Sequence, residues 1–315
     1  MWGKPWKYRE GFIFGVMLVA AGLVLQLTVG PLDWTVFRAP VNYVALALLC
    51  VFIAVLYVVG KSSCSVRFLI SRHAAVPCLV YATLLTAVMG LTRQVPASQP
   101  PADVLGISRM LSFWPFVLTY LWMTLIVGLV SVKYIVPARE NHFRRERLKA
   151  LAAFLCHMGL FVILTSATLG SADMQRVKMI CTVGEPERRV VNAEGMLQQL
   201  NVAIELKRFV LETYDADSTE SGMAMMMPRR FASEIVVHSN DGKAWPAVVE
   251  VNRPADVMGW KIYQYGYDTA AGAESRISIL ELVRDPWLPA VYAGIFMLLA
   301  GAVLMMFRKK RSYTP

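Results

Sequence analysis

His157 is the side chain whose surroundings most favour a chemical role. It lies within the apolar segment 151–165, where Cys156 is the only other titratable residue. An ionisable group inside a membrane helix costs on the order of several kcal/mol when it is left unsatisfied. Such residues commonly serve an ion, a proton or a cofactor, and a neutral imidazole is a good axial ligand for haem iron. The alternative is a histidine that packs between helices and donates to a neighbouring carbonyl.

The other histidines and the cysteines are weaker candidates for chemistry. His73 and His142 lie in basic loops, and His238 ends a predicted strand, so all three are expected to be solvated surface residues. Cys156 points about 100° away from its histidine neighbour on a helix, which favours a small apolar role. No C-x-x-C pair, phosphate-binding loop, nucleophile elbow or H-E-x-x-H motif occurs in the sequence. The sequence therefore predicts no catalytic residue.

The composition is typical of a membrane protein. The 315 residues are 56% hydrophobic and 17% charged, and the mean hydropathy is +0.48. The net charge of +10 is unevenly distributed: residues 171–287 carry 13 Lys/Arg against 17 Asp/Glu, and the rest carries 19 against 5. Because the excess positive charge belongs to the apolar part, it indicates membrane topology rather than nucleic-acid binding.

Six stretches are long and apolar enough to cross a bilayer, which takes roughly 20 helical residues. They are residues 11–30, 41–59, 74–91, 112–131, 149–170 and 288–307. The first is longer than a usual signal-peptide core and is interpreted as a retained helix. The sequence therefore predicts an α-helical polytopic membrane protein with six transmembrane helices.

Basic residues in the loops predict the orientation of these helices. Clusters of Lys and Arg precede the first helix, follow the second and the fourth, and form the tail 308–311. The alternate loops hold three arginines in all. Since basic loops stay in the cytoplasm, both termini are expected there, in a cell inner membrane, with residues 171–287 on the outer side.

Residues 171–287 are expected to form an inserted extracytoplasmic domain that is mainly β and sandwich-like. The following segments are rich in Val, Ile, Tyr and Phe, and several alternate apolar with polar residues: 202–214, 231–238, 247–252, 260–267 and 276–283. Residues 239–242 predict a hairpin turn. Cys181 is the only cysteine of this domain, so no disulfide can form within it.

A Met-rich segment, residues 216–230, interrupts the predicted strands. It is either a contact loop for an apolar partner or cofactor, or a loop whose flexible side chains fill gaps.

Three stretches carry the motifs of a known family. Around His157, the helix 154–170 is similar to the pattern H-x-G-x-x-x-I-L … G. In the external domain, the patterns P-x-x-F-x-S, V-N-x-P and G-x-x-x-Y-Q are similar to residues 228–233, 251–254 and 259–268. Residues 285–294 are similar to D-P-G … Y-x-G, with Trp287 in place of the more usual Gly. Over about residues 74–307, the chain resembles the ResB (also called CcsB) proteins of System II cytochrome c biogenesis.

The resemblance implies a division of the chain. The family is commonly drawn with four helices, three before the external domain and one after it. Residues 1–73 are then an additional N-terminal hairpin with a cytoplasmic loop. Residues 74–170 hold helices three to five, 171–287 form the external domain, and 288–315 form the last helix and a basic tail.

The resemblance also implies haem handling. In this family a complex of B and A proteins moves haem outward and presents it to apocytochrome c. The B protein contributes a membrane histidine as axial ligand, and His157 is the matching position for transiently bound b-type haem. The chain lacks the tryptophan-rich segment of the A protein, so it is expected to need a separate CcsA/ResC-type haem protein. It would be at most one subunit of a holocytochrome c synthase, with apocytochrome c and a thiol-reducing, thioredoxin-like membrane protein as further partners.

Two other functions remain open from the sequence. One is a non-catalytic membrane scaffold that docks apocytochrome or thiol-reducing partners, with His157 in a structural role. The other is a proton-coupled transporter, which is less favoured because no second intramembrane titratable group is evident to pass a proton onward.

Overall fold

The computed structural model describes residues 6–60, 62–96, 99, 101–140, 144–213 and 228–306. Most of the Met-rich segment, His142 and the tail 308–311 lie outside these residues. The chain divides into two compact units, one of Met1–Asp173 with Trp287–Pro315 and the other of Met174–Pro286.

The first unit is helical, and its six long helices are apolar enough to span a membrane. The described helices are α1 (Tyr8–Val29), α2 (Val41–Gly60), α3 (Cys64–Leu69), α4 (Arg72–Leu91), α5 (Trp114–Glu140), α6 (Arg144–Gly170) and α7 (Leu288–Met306). Only α3, with six residues, is too short to span. The predicted set of six transmembrane helices is confirmed.

Helix α5 is the central element of the helical unit. It packs against α1, α2, α4 and α6, and half of its most apolar stretch is buried, a larger share than in the other spanning helices. On one side Trp122 and Ile126 pack with Cys78 of α4. On another, Val127 packs with Phe161 of α6. Helix α6 is thus held against the best-buried helix of the unit.

Glycines bring α6 and α7 into backbone contact. A Cβ added at Gly159 would lie 2.6 Å from the Gly294 carbonyl oxygen, and one added at Gly294 would lie 2.8 Å from the Gly159 carbonyl oxygen. An added Cβ at Gly301 would lie 2.6 Å from the Cys156 sulfur. Small residues permit such approach between membrane helices, where packing rather than hydrophobic exclusion drives association. One face of α6 is therefore committed to α7.

A carboxylate joins three separate segments at the end of α6 where the chain leaves the helical unit. Asp173 accepts hydrogen bonds from the Ala39 backbone N–H (2.8 Å), the Asn42 side-chain amide (2.7 Å) and the Trp287 indole N–H (2.9 Å). Asn42 is fully buried. The Trp287 ring stacks on Tyr43 of α2, with 4.9 Å between ring centroids. The N-terminal hairpin is thereby bonded to the end of α6 and the start of α7.

The second unit is a single antiparallel sheet of eight strands, in the order β5-β4-β3-β2-β1-β8-β7-β6. Its strands are β1 (Gln175–Thr182), β2 (Pro186–Asn192), β3 (Leu197–Thr213), β4 (Pro228–Ser239), β5 (Ala244–Glu250), β6 (Ala255–Val257), β7 (Trp260–Tyr267) and β8 (Ile277–Arg284). The predicted mainly-β character is confirmed.

The sheet folds over itself, so that β4 meets β7 and β8 around a buried core. At this contact the Ser233 hydroxyl donates to Gln264 Oε1 (2.6 Å) and lies 2.7 Å from the Ser278 hydroxyl. The Gln264 amide donates to the Ser278 hydroxyl and to the Gly266 carbonyl, both at 2.9 Å. A buried polar network of this kind stabilises a fold when its members are satisfied, as they are here.

The strand predictions hold for position but not for every boundary. Residues 260–267 match β7, and the turn at 239–242 is present, with Gly242 at a φ of 76°. The predicted strand 247–252 instead ends at Glu250, because Asn252 adopts a left-handed turn conformation with a φ of 63°. The sequence missed β1, β2 and β6. The charged residues of β1 and β2 disguise the alternation that marks their buried positions.

We expect Gly294→Ala to destabilise the helical unit. The added methyl group would collide with the backbone of α6, and overpacking of this kind typically costs about 1–3 kcal/mol. Thermal unfolding of the purified protein in detergent measures the loss. Gly90→Ala in α4 is the matched control, because an added Cβ there meets no atom within 4 Å, so this variant should be at least as stable as the parent. Equal melting temperatures for the two variants would contradict the close approach of α6 and α7.

We expect Asp173→Ala to destabilise the protein by about 1–3 kcal/mol, since it removes the nearer of two acceptors of the buried Asn42 amide and leaves only the Leu169 carbonyl. Burial raises the pKa of Asp173, but the N–H donors of Ala39, Asn42 and Trp287 together outweigh it and lower this pKa below its ordinary value.

The carboxylate's contribution is therefore complete above the ordinary Asp pKa, near pH 4, and is lost as the pH falls through the lowered pKa. In detergent, the variant should have a lower free energy of unfolding than the parent at pH 7. This gap between the two should close in acid. Asp241→Ala is the control, because Asp241 is an exposed residue of the turn at 239–242. A gap that persists unchanged in acid would argue against the carboxylate.

Candidate functional site

His157 lies on α6, and a bond to its own helix sets its tautomer. Its Nδ1 lies 2.7 Å from the carbonyl oxygen of Ala153, one turn earlier. A carbonyl can only accept, so in the neutral ring Nδ1 carries the proton and Nε2 carries the lone pair. The ring is half-buried. An Nδ1–H···O=C bond is the usual outer support of a histidine that coordinates a metal through Nε2.

The α5-facing side of α6 carries His157. Phe161, one turn further on, lies against Gly128 of α5, where an added Cβ would come within 3.0 Å of its ring. Another turn on, the Tyr120 hydroxyl of α5 donates to the Leu164 carbonyl at 3.0 Å. The spacing i, i+4, i+7 places His157, Phe161 and Leu164 on one face.

Cys156 lies on the opposite, α7-facing side. It packs against Gly301, and its sulfur lies 3.8 Å from the Leu298 carbonyl oxygen. The sequence predicted that these neighbouring side chains would diverge, and that Cys156 would act as a small packing residue. The structure agrees with both predictions.

Two residues of α5 flank His157 and were not singled out by the sequence. The Tyr134 ring lies 5.7 Å from the His157 ring, centroid to centroid, at an angle of 31°. The Lys133 ammonium lies 5.9 Å from the centroid of the same tyrosine ring. In the sequence, Lys133 and Tyr134 are visible as a polar pair near the end of an apolar helix. Their proximity to His157 depends on the packing of α5 against α6, which the sequence does not show.

The other histidines lie apart from this arrangement. His73 begins α4, and its ring packs 4.9 Å from that of Tyr8. His238 is one-third exposed at the end of β4, and its Nε2 lies 3.1 Å from a Glu205 carboxylate oxygen. Neither contact assembles a catalytic group. Within the described ranges, no three His, Cys, Asp or Glu side chains come together to hold a metal ion.

The motif residues of the external unit are divided between its interior and its surface, since Ser233 and Gln264 are buried while Val251 and Asn252 are exposed. Ser233 and Gln264 belong to the buried hydrogen-bond network, and Phe231 packs on Tyr267 with 5.3 Å between centroids. Cys181 is fully buried in the same core, and this burial, reinforced by nearby Glu187, raises its pKa to about 12. A thiol with so high a pKa is not a nucleophile for disulfide exchange at neutral pH.

Comparison with known proteins agrees with the motifs. Residues 143–277 match the model of the ResB-like family, a range that includes His157 and most of the sheet. No curated protein sequence matches the chain. Among solved structures, the chain is similar to the protein titled Cytochrome c Heme Lyase CcmF, with 12% sequence identity and a TM-score of 0.39. The similarity covers 96% of this chain and 46% of that one, so this chain spans less than half of its length. The family match supports the resemblance carried by α6 and the sheet: residues 143–277 are similar to the ResB-like family.

Proposed function

We propose that the protein is a haem-handling subunit in cytochrome c biogenesis, and that it holds haem iron through Nε2 of His157. The observation that carries the proposal is the Nδ1–H bond from His157 to the Ala153 carbonyl, which leaves Nε2 as the ligand nitrogen. An imidazole in an apolar helix is costly unless it is satisfied, and iron satisfies the second nitrogen.

Haem coordination by this chain would be completed from outside it. A six-coordinate haem needs two axial ligands, and His157 supplies one. In the described part of α4, α5, α6 and α7, no second histidine lies within a spanning stretch beyond His73 at the start of α4. A CcsA/ResC-type haem protein is the partner that the family resemblance suggests for the second ligand.

The external unit would present a surface to apocytochrome c and not perform chemistry. Its motif residues Ser233 and Gln264 belong to the buried hydrogen-bond network, and its single cysteine is buried. Thioether attachment then depends on alignment of the haem vinyl groups with the reduced thiols of the apocytochrome, which is positioning work. A thioredoxin-like protein would keep those thiols reduced, since Cys181 has no reactive character.

A scaffold without haem is the second candidate. The Ala153 bond alone would support a structural histidine, because a carbonyl is the partner expected of a helix-packing imidazole. The two functions differ in whether Nε2 of His157 binds haem iron. A measurement of haem coordination therefore distinguishes them.

We expect His157→Ala, purified with its haem-protein partner, to retain about tenfold less haem than the parent and to lose the spectrum of bis-histidine haem. In His157→Gly, added imidazole should restore the spectrum, because the free ligand fits where the side chain was removed. His238→Ala is the matched control, because His238 lies in the external unit, where its Nε2 pairs with a Glu205 carboxylate oxygen. An unchanged haem spectrum in folded His157→Ala would leave the scaffold as the better account.

We also propose that the segment between α2 and α4, which includes Cys64 at the start of α3, faces the cytoplasm, as the basic loops indicate. Of the cysteines outside the spanning helices, Cys64 is exposed and Cys181 is buried with a pKa of about 12. A membrane-impermeant maleimide should therefore label Cys64 in inverted vesicles and leave it unlabelled in right-side-out spheroplasts. Cys64→Ser should abolish the signal. Labelling in spheroplasts but not in inverted vesicles would reverse the orientation.

A further inference from the structure

We propose that Lys133 and Tyr134 form the propionate end of the haem site, with the Lys133 ammonium pairing with a haem carboxylate. The inference rests on the haem function proposed for His157 and adds to it the residues that fix which edge of the porphyrin faces the membrane surface.

The geometry links the three side chains in series. Tyr134 contacts the His157 ring on one side, with 5.7 Å between centroids, and the Lys133 ammonium lies 5.9 Å from the Tyr134 centroid on another. A group held at His157 would have Tyr134 and Lys133 of α5 as neighbours. Tyr134 would then limit rotation of the imidazole, and Lys133 would lie at the porphyrin's edge.

Lys133 is a cation in an unusual place. It lies within the spanning part of α5, Trp114–Ile135, two residues before its end. Among the described side chains, Lys133 has no carboxylate partner within ion-pair distance. Its contact is instead with the face of an aromatic ring, which attracts a cation by about 0.5–1 kcal/mol at exposed sites. An ammonium so placed retains its donors for an anion.

Haem has the complementary chemistry. Its ring and vinyl groups are apolar, and its two propionates are carboxylates on one edge. At the boundary of the hydrocarbon, the ring would remain in the apolar part beside His157 and the carboxylates would reach the ammonium. The alternative ligand of Lys133 is a lipid phosphate, which is the ordinary partner of a snorkelling lysine.

The test compares haem with its dimethyl ester, which has the same ring and iron but no carboxylates. The full-length protein is purified in detergent without haem and titrated with each compound, and the Soret band reports binding. We expect the parent to bind haem about fivefold more tightly than the ester, the size of one partly exposed charge pair. Lys133→Gln should abolish this preference by weakening haem binding alone, and Lys133→Arg should retain it. Arg72→Gln, which removes another cytoplasmic-side charge from an exposed residue of α4, should retain it as well.

Each outcome decides the proposal. An equal affinity of the parent for haem and ester overturns it without the need for any variant. A preference that survives in folded Lys133→Gln also overturns it, and assigns the lysine to lipid. Failure of the haem function itself looks different: His157→Ala would then bind both compounds as the parent does. His157→Ala could weaken the binding of haem and of the ester while Lys133→Gln changes neither affinity. That result would support His157 as the axial ligand and overturn the propionate site.

Discussion

The helical unit is shaped by one constraint: a polar group buried in hydrocarbon is costly unless it finds a partner within the protein. Hydroxyl side chains meet it locally. Thr119, Thr124, Ser131 and Thr165 each donate to the carbonyl one turn earlier in their own helix. One of the two ring nitrogens of His157 has such a partner, because Nδ1–H donates to the Ala153 carbonyl. The proposed role of His157 uses its other ring nitrogen, Nε2.

The two faces of α6 have different neighbours, with α7 on one and α5 on the other. The glycine contacts at Gly159, Gly294 and Gly301 hold the other face against α7 at a distance that leaves no room for a porphyrin. The α5 face carries the rings of His157 and Phe161, which lie against Tyr134 and Gly128 of α5. A ligand site on α6 is therefore restricted to the His157 side, where Tyr134 and Lys133 are the flanking groups.

Sequence reasoning succeeded where the signal is local. Apolar length predicted the six spanning helices, and the 100° turn between neighbours predicted the separation of Cys156 from His157. It failed for β1 and β2, in which Arg176, Lys178, Arg188 and Arg189 occupy positions that point away from the core. The link from His157 to Tyr134 depends on which helices pack together and at what height, and spacing within a single helix contains no such information.

The N-terminal hairpin of α1 and α2 is joined to the start of α7. Trp287 stacks on Tyr43 of α2, and both segments bond to Asp173. Glycine at position 287 would offer neither a ring nor an indole N–H, so the hairpin would lose its stacking partner and the carboxylate one of its donors. The hairpin thus acts as a brace, because it is bonded to the points where the chain leaves the helical unit and returns to it. His157 lies in the middle of α6, between three and four helical turns from this brace, so the brace fixes the end of the helix without contacting the proposed ligand.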